Sequence, residues 1–297
     1  MKLGDLVVRK SYGGDVLFRI AALLQNTAVL RGTDYRLLAD APVKDLAQVE
    51  NPDELRGPRT ARVQASESMK RMQEERMHAR EDKGDPGAAA TGGTGKPYFE
   101  LPGKVLHLDG DANYLRKSMA VYGQLRMPAE GIHCHESQMA DAVADLLPKV
   151  RPDIVVITGH DGVFKNRSNY ELLTSYKNSS NFIQAVRNAR RYDKSRDSLI
   201  VVAGACQSHF EALMSAGANF ASSPARIMIH ALDPVYVAVR AAFTPFRETI
   251  DLPDVISNTI SGMRGVGGVE SLGKYRIGLP NIKPTLIVPT LAAADFG

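Results

Sequence analysis

Two stretches of similar form decide the fold: DIVVITGHDGVF at residues 153–164 and SLIVVAGACQSHF at residues 198–210. Each is a run of aliphatic and β-branched residues that stops at small residues and one reactive side chain, His160 in the first and Cys206 in the second. Strands that are apolar throughout are typical of a parallel sheet covered on both faces. We therefore expect two strands of one parallel sheet, each with a reactive side chain just beyond its carboxyl end.

The chain from residue 98 onward alternates between strand and helix patterns. Further strands are predicted at KVLHLD (104–109), near EGIHCHE, at ANFAS and at ARIMIHAL (225–232), and helices at ANYLRKSMAVYGQL, ESQMADAVADLLP, NSSNFIQAVRNARRYD, QSHFEALMSAG and PVYVAVRAAF. Alternation of this kind favours a layered α/β arrangement. The sequence thus predicts an α/β domain over residues 98–297, with a mostly parallel sheet and helices on both faces.

The first 50 residues have a different pattern. Short apolar segments, DLVVRK, DVLFRIAAL and TAVLRG, are separated by turn residues such as SYGGD, and a further strand is predicted in YRLLAD. Residues 1–50 are therefore predicted to form a small SH3-like β-barrel. Barrels of this kind serve as docking or autoinhibitory modules, and both alternatives stay open at this point.

Residues 51–97 are predicted to be a charged, Gly-rich flexible linker. Their first part, RGPRTARVQASESMKRMQEERMHAREDKG, is rich in arginine and poor in aliphatic residues, and GDPGAAATGGTGKP follows it. The second part has too few apolar residues to form a core. The first part is either a solvated helix or an arginine-rich segment open to proteolysis.

Bulk composition argues against several classes of protein. The net charge of +4 is too small to indicate nucleic-acid binding, and no apolar run approaches the roughly 20 residues that membrane insertion requires. The opening MKLGDLVVRK lacks the apolar core of a signal peptide. With only two cysteines, a disulfide framework is not expected, so the sequence predicts a cytoplasmic protein with free thiols.

Cys206 and His160 together suggest nucleophilic catalysis. If their strands are neighbours, thiol and imidazole face one crevice, where a thiolate attacks a carbonyl and the histidine carries the proton. A helix beginning near Gln207 would lower the pKa of the thiol. The backbone amides of Cys206 and Gly162 are candidate oxyanion donors. This chemistry needs no metal and no organic cofactor.

A metal site is the alternative use for the other histidines and cysteine. GIHCHES places His133, Cys134, His135 and Glu136 close together. Neither CxxC nor HExxH accompanies them, and Cys206 has a better assignment. We therefore predict no metal site.

The pair VVITGHDG and IVVAGACQ resembles the signature of the caspase–clostripain–gingipain–legumain group of cysteine peptidases. In that group one hydrophobic strand ends in His-Gly and a later one in Ala-Cys or Gly-Cys. The resemblance implies a caspase-like sheet in which Cys206 is the nucleophile and His160 the general acid/base. Asp161 stands here between His160 and Gly162, so the second oxyanion donor is the amide of Asp161 or that of Gly162.

A closer resemblance covers residues 1 to about 290. The blocks GDLVVRKSYGGDVLFRI, HLDGDANYLRKSMAVYGQL, VVITGHDG and GACQSHFEALMSAGANFASSPARIMIHALDPV are similar to the YabG family of sporulation-specific peptidases of endospore-forming Firmicutes. This implies a thiol protease that cleaves spore-coat and spore-envelope proteins after arginine, with self-processing. It also implies a location in the mother-cell cytoplasm, associated with the forming spore coat. The competing hypotheses are a non-enzymatic coat-assembly or docking protein and another cysteine hydrolase, such as an amidase.

An arginine preference implies an acidic residue in the S1 pocket. Asp109 and Asp111 follow the first strand of the predicted sheet, and Asp233 lies in HALDP. The alternative roles are that Asp111 caps the following helix and that Asp109 simply ends the strand. Self-processing is predicted in the arginine-rich stretch 56–80.

Overall fold

The computed structural model describes residues 1–52, 55–81, 98–167 and 169–280. Within these ranges the strands are β1 (Leu6–Arg9), β2 (Phe18–Leu24), β3 (Thr27–Gly32), β4 (Leu38–Pro42), β5 (Leu46–Gln48), β6 (Phe99–Leu101), β7 (Val105–Asp109), β8 (Ala129–His133), β9 (Ile154–Thr158), β10 (Ile200–Ala203), β11 (Phe220–Ser222), β12 (Val266–Gly268) and β13 (Arg276–Gly278). The helices are α1 (Arg56–Glu81), α2 (Ala112–Gln124), α3 (Met139–Val150), α4 (Ser179–Tyr192), α5 (Phe210–Ala216), α6 (Asp233–Phe243), α7 (Leu252–Ser257) and α8 (Gly262–Gly265).

The central element is a six-stranded sheet with the order β12-β11-β10-β9-β7-β8. All neighbours pair in parallel except β12, which is antiparallel to β11. The two stretches that decide the fold are adjacent strands, with Val156 of β9 opposite Val202 of β10. The prediction of a mostly parallel α/β sheet is confirmed.

Alternate residues of the central strands face two separate apolar cores, because successive side chains of a strand point to opposite faces. Ile154 and Val156 pack in one core with residues of α2 and α6. Val155 and Ile157 pack in the other core with residues of α3, α4 and α5. Helices therefore cover both faces, as the unbroken apolar runs predict.

The predicted strand at 225–232 is wrong. Ser223 and Arg226 have φ values of 64° and 56°, and the Ser223 hydroxyl donates to the Ile227 carbonyl at 2.7 Å. These turns lead the chain away from the sheet after β11, and β12 takes the position beside β11. Residues 225–232 instead run past the end of the sheet, where His230 forms an isolated antiparallel bridge with Tyr35.

The N-terminal residues form a five-stranded antiparallel sheet with the order β4-β3-β2-β1-β5. Val7, Phe18, Ile20, Leu30 and Leu46 are among the residues of its own core. The pairing ends at β4 and β5, and closure into an SH3-like barrel is not confirmed.

Residues 56–81, in the charged part of 51–97, form the helix α1, which is one of the two alternatives that the sequence left open there. Met69 and Met72 lie three residues apart, which places them on one face of the helix, and they pack against the core that contains α6. The Tyr236 hydroxyl also donates to the Ala65 carbonyl at 3.3 Å. Residues 82–97, the Gly-rich part, lie outside the described residues. Among the helices in the described ranges, none has the length and apolar character to cross a bilayer.

Candidate active site

Cys206 and His160 follow adjacent parallel strands at the same edge of the central sheet. The register aligns Ala203 with Ile157, and Thr158 with Asp109, so that β10, β9 and β7 end side by side. Ligand sites of open α/β sheets form at this edge. The predicted site residues are thus brought to one region of the molecule.

A tight turn after β10 carries Cys206. Gly204 has a φ of 108°, and a Cβ at this position would lie 2.9 Å from Leu213 Cδ1. The Ala205 amide donates to Ser208 Oγ at 2.9 Å, which closes the turn. The small residues that follow the strand are therefore required by backbone geometry and by packing.

The Cys206 thiol is buried, with 1% of the residue exposed. Burial raises its pKa to about 12, although the amide of Ile229, which donates to Sγ at 3.2 Å, and the charge of Arg36 oppose that rise. The prediction that a helix near Gln207 lowers this pKa is wrong, because α5 begins only at Phe210. The resting thiol is therefore protonated at neutral pH.

His160 is held at three of its atoms. Its Nε2 lies 3.0 Å from Asp111 Oδ2, its amide donates to Glu136 Oε1 at 2.7 Å, and its carbonyl accepts from Asn178 Nδ2 at 2.8 Å. Its Nδ1 is buried and has no hydrogen-bond partner among the described residues. The imidazole thus has one nitrogen fixed by a carboxylate and one nitrogen free to take a proton.

Asp111 combines two roles. Its Oδ1 accepts from the Asn113 amide at 2.8 Å and caps α2, while its Oδ2 faces His160 and lies 2.9 Å from Arg31 Nε. Burial alone would raise the pKa of Asp111, but the His160 hydrogen bond and the Arg31 charge lower it below its ordinary value. The sequence indicated the helix cap; the partnership with His160 had no signal in the sequence beyond the position of Asp111 after a strand.

Asp161, the residue that interrupts His-Gly, organises the loops around the site. Its Oδ1 accepts from the amides of Gly162 and Asn178, both at 2.8 Å, and its Oδ2 accepts from the hydroxyls of Ser179 at 2.5 Å and Ser208 at 2.9 Å. Burial raises the pKa of Asp161, and these hydrogen bonds oppose the rise. The carboxylate ties the loop after β9 to the turn after β10.

The hydrogen bonds of Asp161 distinguish the two candidates for the second oxyanion donor, the amides of Asp161 and Gly162. The Gly162 amide already donates to the Asp161 carboxylate. In the part of the chain that the structure describes, the amides of Asp161 and Cys206 have no hydrogen-bond partner. The role of Gly162 stays a prediction. Of the two alternatives, the Asp161 amide is the one without another hydrogen bond among the described residues.

Asp109 is completely buried at the end of β7 and faces a cation from the N-terminal sheet. Its Oδ1 and Oδ2 lie 2.9 and 2.8 Å from the two terminal nitrogens of Arg36, and its Oδ1 also accepts from the Asp111 amide at 2.9 Å. Burial would raise the pKa of Asp109, but the charge of Arg36 and the His107 ring, whose Nε2 lies 3.6 Å from Oδ2, hold it well below its usual range. Asp109 is therefore an anion paired with Arg36.

Asp233 accepts backbone amides of the loops around it. Its Oδ1 accepts from Ile260 at 2.7 Å, and its Oδ2 accepts from His230 at 3.2 Å and from Ser261 at 3.3 Å. Burial raises its pKa to about 6. Among the three S1 candidates, Asp109 therefore faces a guanidinium, Asp111 faces His160, and Asp233 faces amides.

The sequence placed Glu136 only in a possible metal cluster and did not predict its position beside His160. Its carboxylate lies against Gly110 and Gly159, where an added Cβ would come within 2.1 and 2.5 Å of Oε1. It also holds the amide of His160. A glycine shortly after each of two neighbouring strands is the one signal that could have indicated a side chain packed between them.

The second cysteine, Cys134, follows β8, and its amide donates to the Asp109 carbonyl at 3.2 Å. Burial raises the pKa of Cys134 to about 11, and the flanking His133 and His135 are exposed. Within the described ranges, no three His, Cys, Asp or Glu side chains are grouped so that they could hold a metal ion.

Comparisons with known proteins agree on one family. Residues 2–280 match the model of the family described as YabG peptidase U57. The chain is 44% identical over 284 residues to the sporulation-specific protease YabG of Bacillus subtilis (strain 168), covering 94% of this chain and 98% of that protein. No solved structure matches. The chain belongs to the YabG peptidase family, U57.

Proposed function

We propose that this peptidase is a cysteine endopeptidase in which Cys206 is the nucleophile and His160 is the general acid/base. The observation that carries the proposal is the pairing of His160 Nε2 with Asp111, at 3.0 Å, beside the turn that bears the thiol. A carboxylate on one ring nitrogen fixes the tautomer and stabilises the imidazolium that forms when the other nitrogen takes a proton. Asp111 is then a positioning residue that acts through His160.

The reaction begins from a neutral thiol, since burial raises the pKa of Cys206. As Sγ attacks the scissile carbonyl carbon, the thiol proton moves to His160 Nδ1, and the amides of Cys206 and either Asp161 or Gly162 stabilise the oxyanion. The leaving amine takes the proton from the imidazole, and water then hydrolyses the thioester. No step requires a metal or an organic cofactor.

The substrates proposed are spore-coat and spore-envelope proteins cleaved after arginine, in the mother-cell cytoplasm and at the forming coat. Support comes from the relative in Bacillus subtilis, a sporulation-specific protease, and from the carboxylates of Asp109, Asp111 and Asp233 around the site. A carboxylate and a guanidinium form paired, charge-assisted hydrogen bonds.

Self-processing within 56–80 is a further part of the proposal. These residues belong to α1, and a peptidase binds its substrate as an extended chain. We therefore expect α1 to unwind locally before it is cut. Mass spectrometry of active preparations tests this, because intact protein with no cut in 56–80 would remove self-processing at this place.

The decisive experiment compares Cys206→Ala with the matched control Cys134→Ala, both buried cysteines of the same chain. We expect Cys206→Ala to lower the cleavage rate of an arginine-containing coat protein at least about a thousandfold and Cys134→Ala to leave it nearly unchanged. Cleavage by Cys206→Ala at the wild-type rate would contradict a cysteine peptidase and leave the docking protein or another hydrolase. A second histidine, His209, lies three residues after Cys206 and caps α5. Loss of activity in His209→Ala but not in His160→Ala would keep the class and reject the assigned histidine.

A further inference from the structure

A segment of the N-terminal sheet pairs with the strip of chain beside the Cys206 thiol. Between β3 and β4, the chain leaves its sheet, and the Asp34 carbonyl accepts from the Ala231 amide at 2.8 Å. Two residues later the Arg36 amide donates to the Ile229 carbonyl at 3.4 Å. The two hydrogen bonds flank the antiparallel bridge between Tyr35 and His230, and an extended substrate segment laid along this strip would make the same pair.

The strip that receives this segment also contacts the thiol. The Ile229 amide donates to Cys206 Sγ at 3.2 Å, and Sγ lies 3.7 Å from the Ile229 carbonyl, the group that accepts from Arg36. The Arg36 backbone is close enough to the thiol to influence its pKa, which burial raises and the Arg36 amide helps to lower. A peptide bound in this way presents its arginine residue to the nucleophile.

The Arg36 side chain is fully buried in a pocket formed by the catalytic domain. Asp109 lies at the base, with its two oxygens 2.8 and 2.9 Å from the guanidinium. The Ala231 carbonyl accepts from Nε at 3.3 Å, and the Tyr114 ring lies 5.1 Å from the guanidinium carbon. A buried carboxylate, a carbonyl and an aromatic wall together form a site that selects arginine over lysine.

The segment is held in this position by Tyr114 of α2 and by Gly32 at the end of β3. The Tyr114 hydroxyl lies 2.6 Å from the carbonyls of both Gly32 and Tyr35. A Cβ on Gly32 would lie 2.4 Å from the Tyr35 carbonyl oxygen, so this narrow excursion requires glycine there. Packing and hydrogen bonds therefore fix the conformation of this loop.

We infer that Asp34–Arg36 occupies the substrate cleft as an internal ligand, with Arg36 in the S1 pocket and Asp109 at its base. The strip Ile229–Ala231 is then the edge that binds the main chain of a substrate, and an arginine-containing peptide competes with the chain's own segment for it. This inference rests on the proposed peptidase function and names the residue that reads arginine.

The test uses the full chain with Cys206→Ala, so that binding is measured without turnover. Arg36→Ala is added to remove the anchor of the internal ligand, and the probe is the peptide acetyl-Thr-Asp-Tyr-Arg-amide, which copies Thr33–Arg36. We expect the peptide to bind the Arg36→Ala chain at least about tenfold more tightly than the chain that keeps Arg36. Further substitution of Asp109→Asn should abolish this gain.

Two controls separate an S1 pocket from a merely structural ion pair. Arg9→Ala breaks the ion pair with Asp45 within the N-terminal sheet and should leave peptide binding as it is in the parent. N-ethylguanidine, a copy of the arginine head, should raise the melting temperature of the Arg36→Ala chain. Stabilisation by N-ethylguanidine without binding of the peptide would overturn the inference, since any cavity lined by a carboxylate would accept the small cation.

Arg36→Lys provides the second variant if Arg36→Ala does not fold. It keeps a positive charge opposite Asp109 but loses the planar fork, so the peptide should again bind more tightly than to the parent. Equal peptide affinity in a folded Arg36→Lys chain and in the parent would overturn the inference. Because the readout is peptide binding and not cleavage, its outcome is distinct from that of the cleavage assay, which tests whether Cys206 is the nucleophile.

Discussion

At the scale of residues, one substitution can separate the two roles of the Asp111 carboxylate, which caps α2 and pairs with His160. Asparagine is as good a helix N-cap as aspartate, so Asp111→Asn should keep α2 intact. It removes the negative charge beside His160 and permits the wrong imidazole tautomer. We expect kcat/KM to fall by about 10²- to 10⁴-fold with little change in the melting temperature.

The matched control for this variant is Asp141→Asn, an exposed aspartate in the first turn of α3. It makes the same chemical change at a helix start away from His160 and should leave kcat/KM unchanged. A wild-type rate for Asp111→Asn would show that the carboxylate only caps the helix.

A second prediction at this scale concerns pH. Burial lowers the pKa of His230 from 6.5 to about 3, so between these values the unfolded chain binds a proton that the folded chain does not. Stability contributed by this histidine therefore rises with pH through that window, by up to about 1.4 kcal/mol per pH unit. Asp233, whose pKa is raised from 3.8 to about 6, acts with the opposite sign and partly offsets it.

The His230 contribution is isolated by comparing the wild type with His230→Asn in urea unfolding between pH 4 and pH 6. The stability difference, wild type minus variant, should increase with pH across this range. A difference that stays constant would mean that His230 is protonated in the folded protein as readily as in the unfolded one.

At the scale of elements, the turn after β10 depends on Gly204. Its φ of 108° and the 2.9 Å approach of an added Cβ to Leu213 both oppose a side chain. Gly204→Ala should lower the free energy of unfolding by about 1–3 kcal/mol and displace Cys206, with loss of activity. Gly123→Ala, in α2 with open space around it, should raise stability by about 0.5–1 kcal/mol. Urea unfolding of the two variants checks both signs.

Elements were predictable where one local signal dominated. β9 and β10 are runs of Val and Ile with both faces buried, and the composition of such runs predicts their burial and their parallel pairing. The segment 225–232 has similar apolar residues, but its partner is the remote N-terminal loop at Tyr35. No local pattern encodes a contact across nearly 200 residues, so that segment was mistaken for a strand.

At the scale of the whole molecule, the Arg36–Asp109 ion pair joins the N-terminal sheet to the central sheet with both side chains completely buried. Removing one partner leaves a buried charge unpaired, whereas replacing both removes the charges together. We expect Arg36→Met and Asp109→Leu each to cost about 3–5 kcal/mol and the double variant to cost less than their sum. Urea unfolding of the four proteins measures this coupling, and additive costs would show that the two units are not linked through this pair.

The site could be predicted from the sequence where its contacts follow from local rules, and not where they join remote parts of the chain. Cys206 and His160 could be brought together because each follows a strand of the same sheet, and strand order is a local rule of the fold. Arg36 could not be foreseen, since an arginine in a short apolar segment normally faces water. Its burial depends on a carboxylate 73 residues away in the sequence.

The excursion between β3 and β4 has both ends fixed in one sheet. The local concentration of Asp34–Arg36 at the cleft therefore does not fall when the protein is diluted. A ligand on a short tether behaves as though present at about millimolar concentration. A separate protein that makes the same contacts must reach a comparable concentration to displace this segment. Only backbone cuts on both sides of the excursion would let the competitor diffuse away and dilute to the concentration of the enzyme itself. While the chain is intact, its targets must therefore be concentrated, or held beside the cleft, at about the millimolar level before they are cleaved.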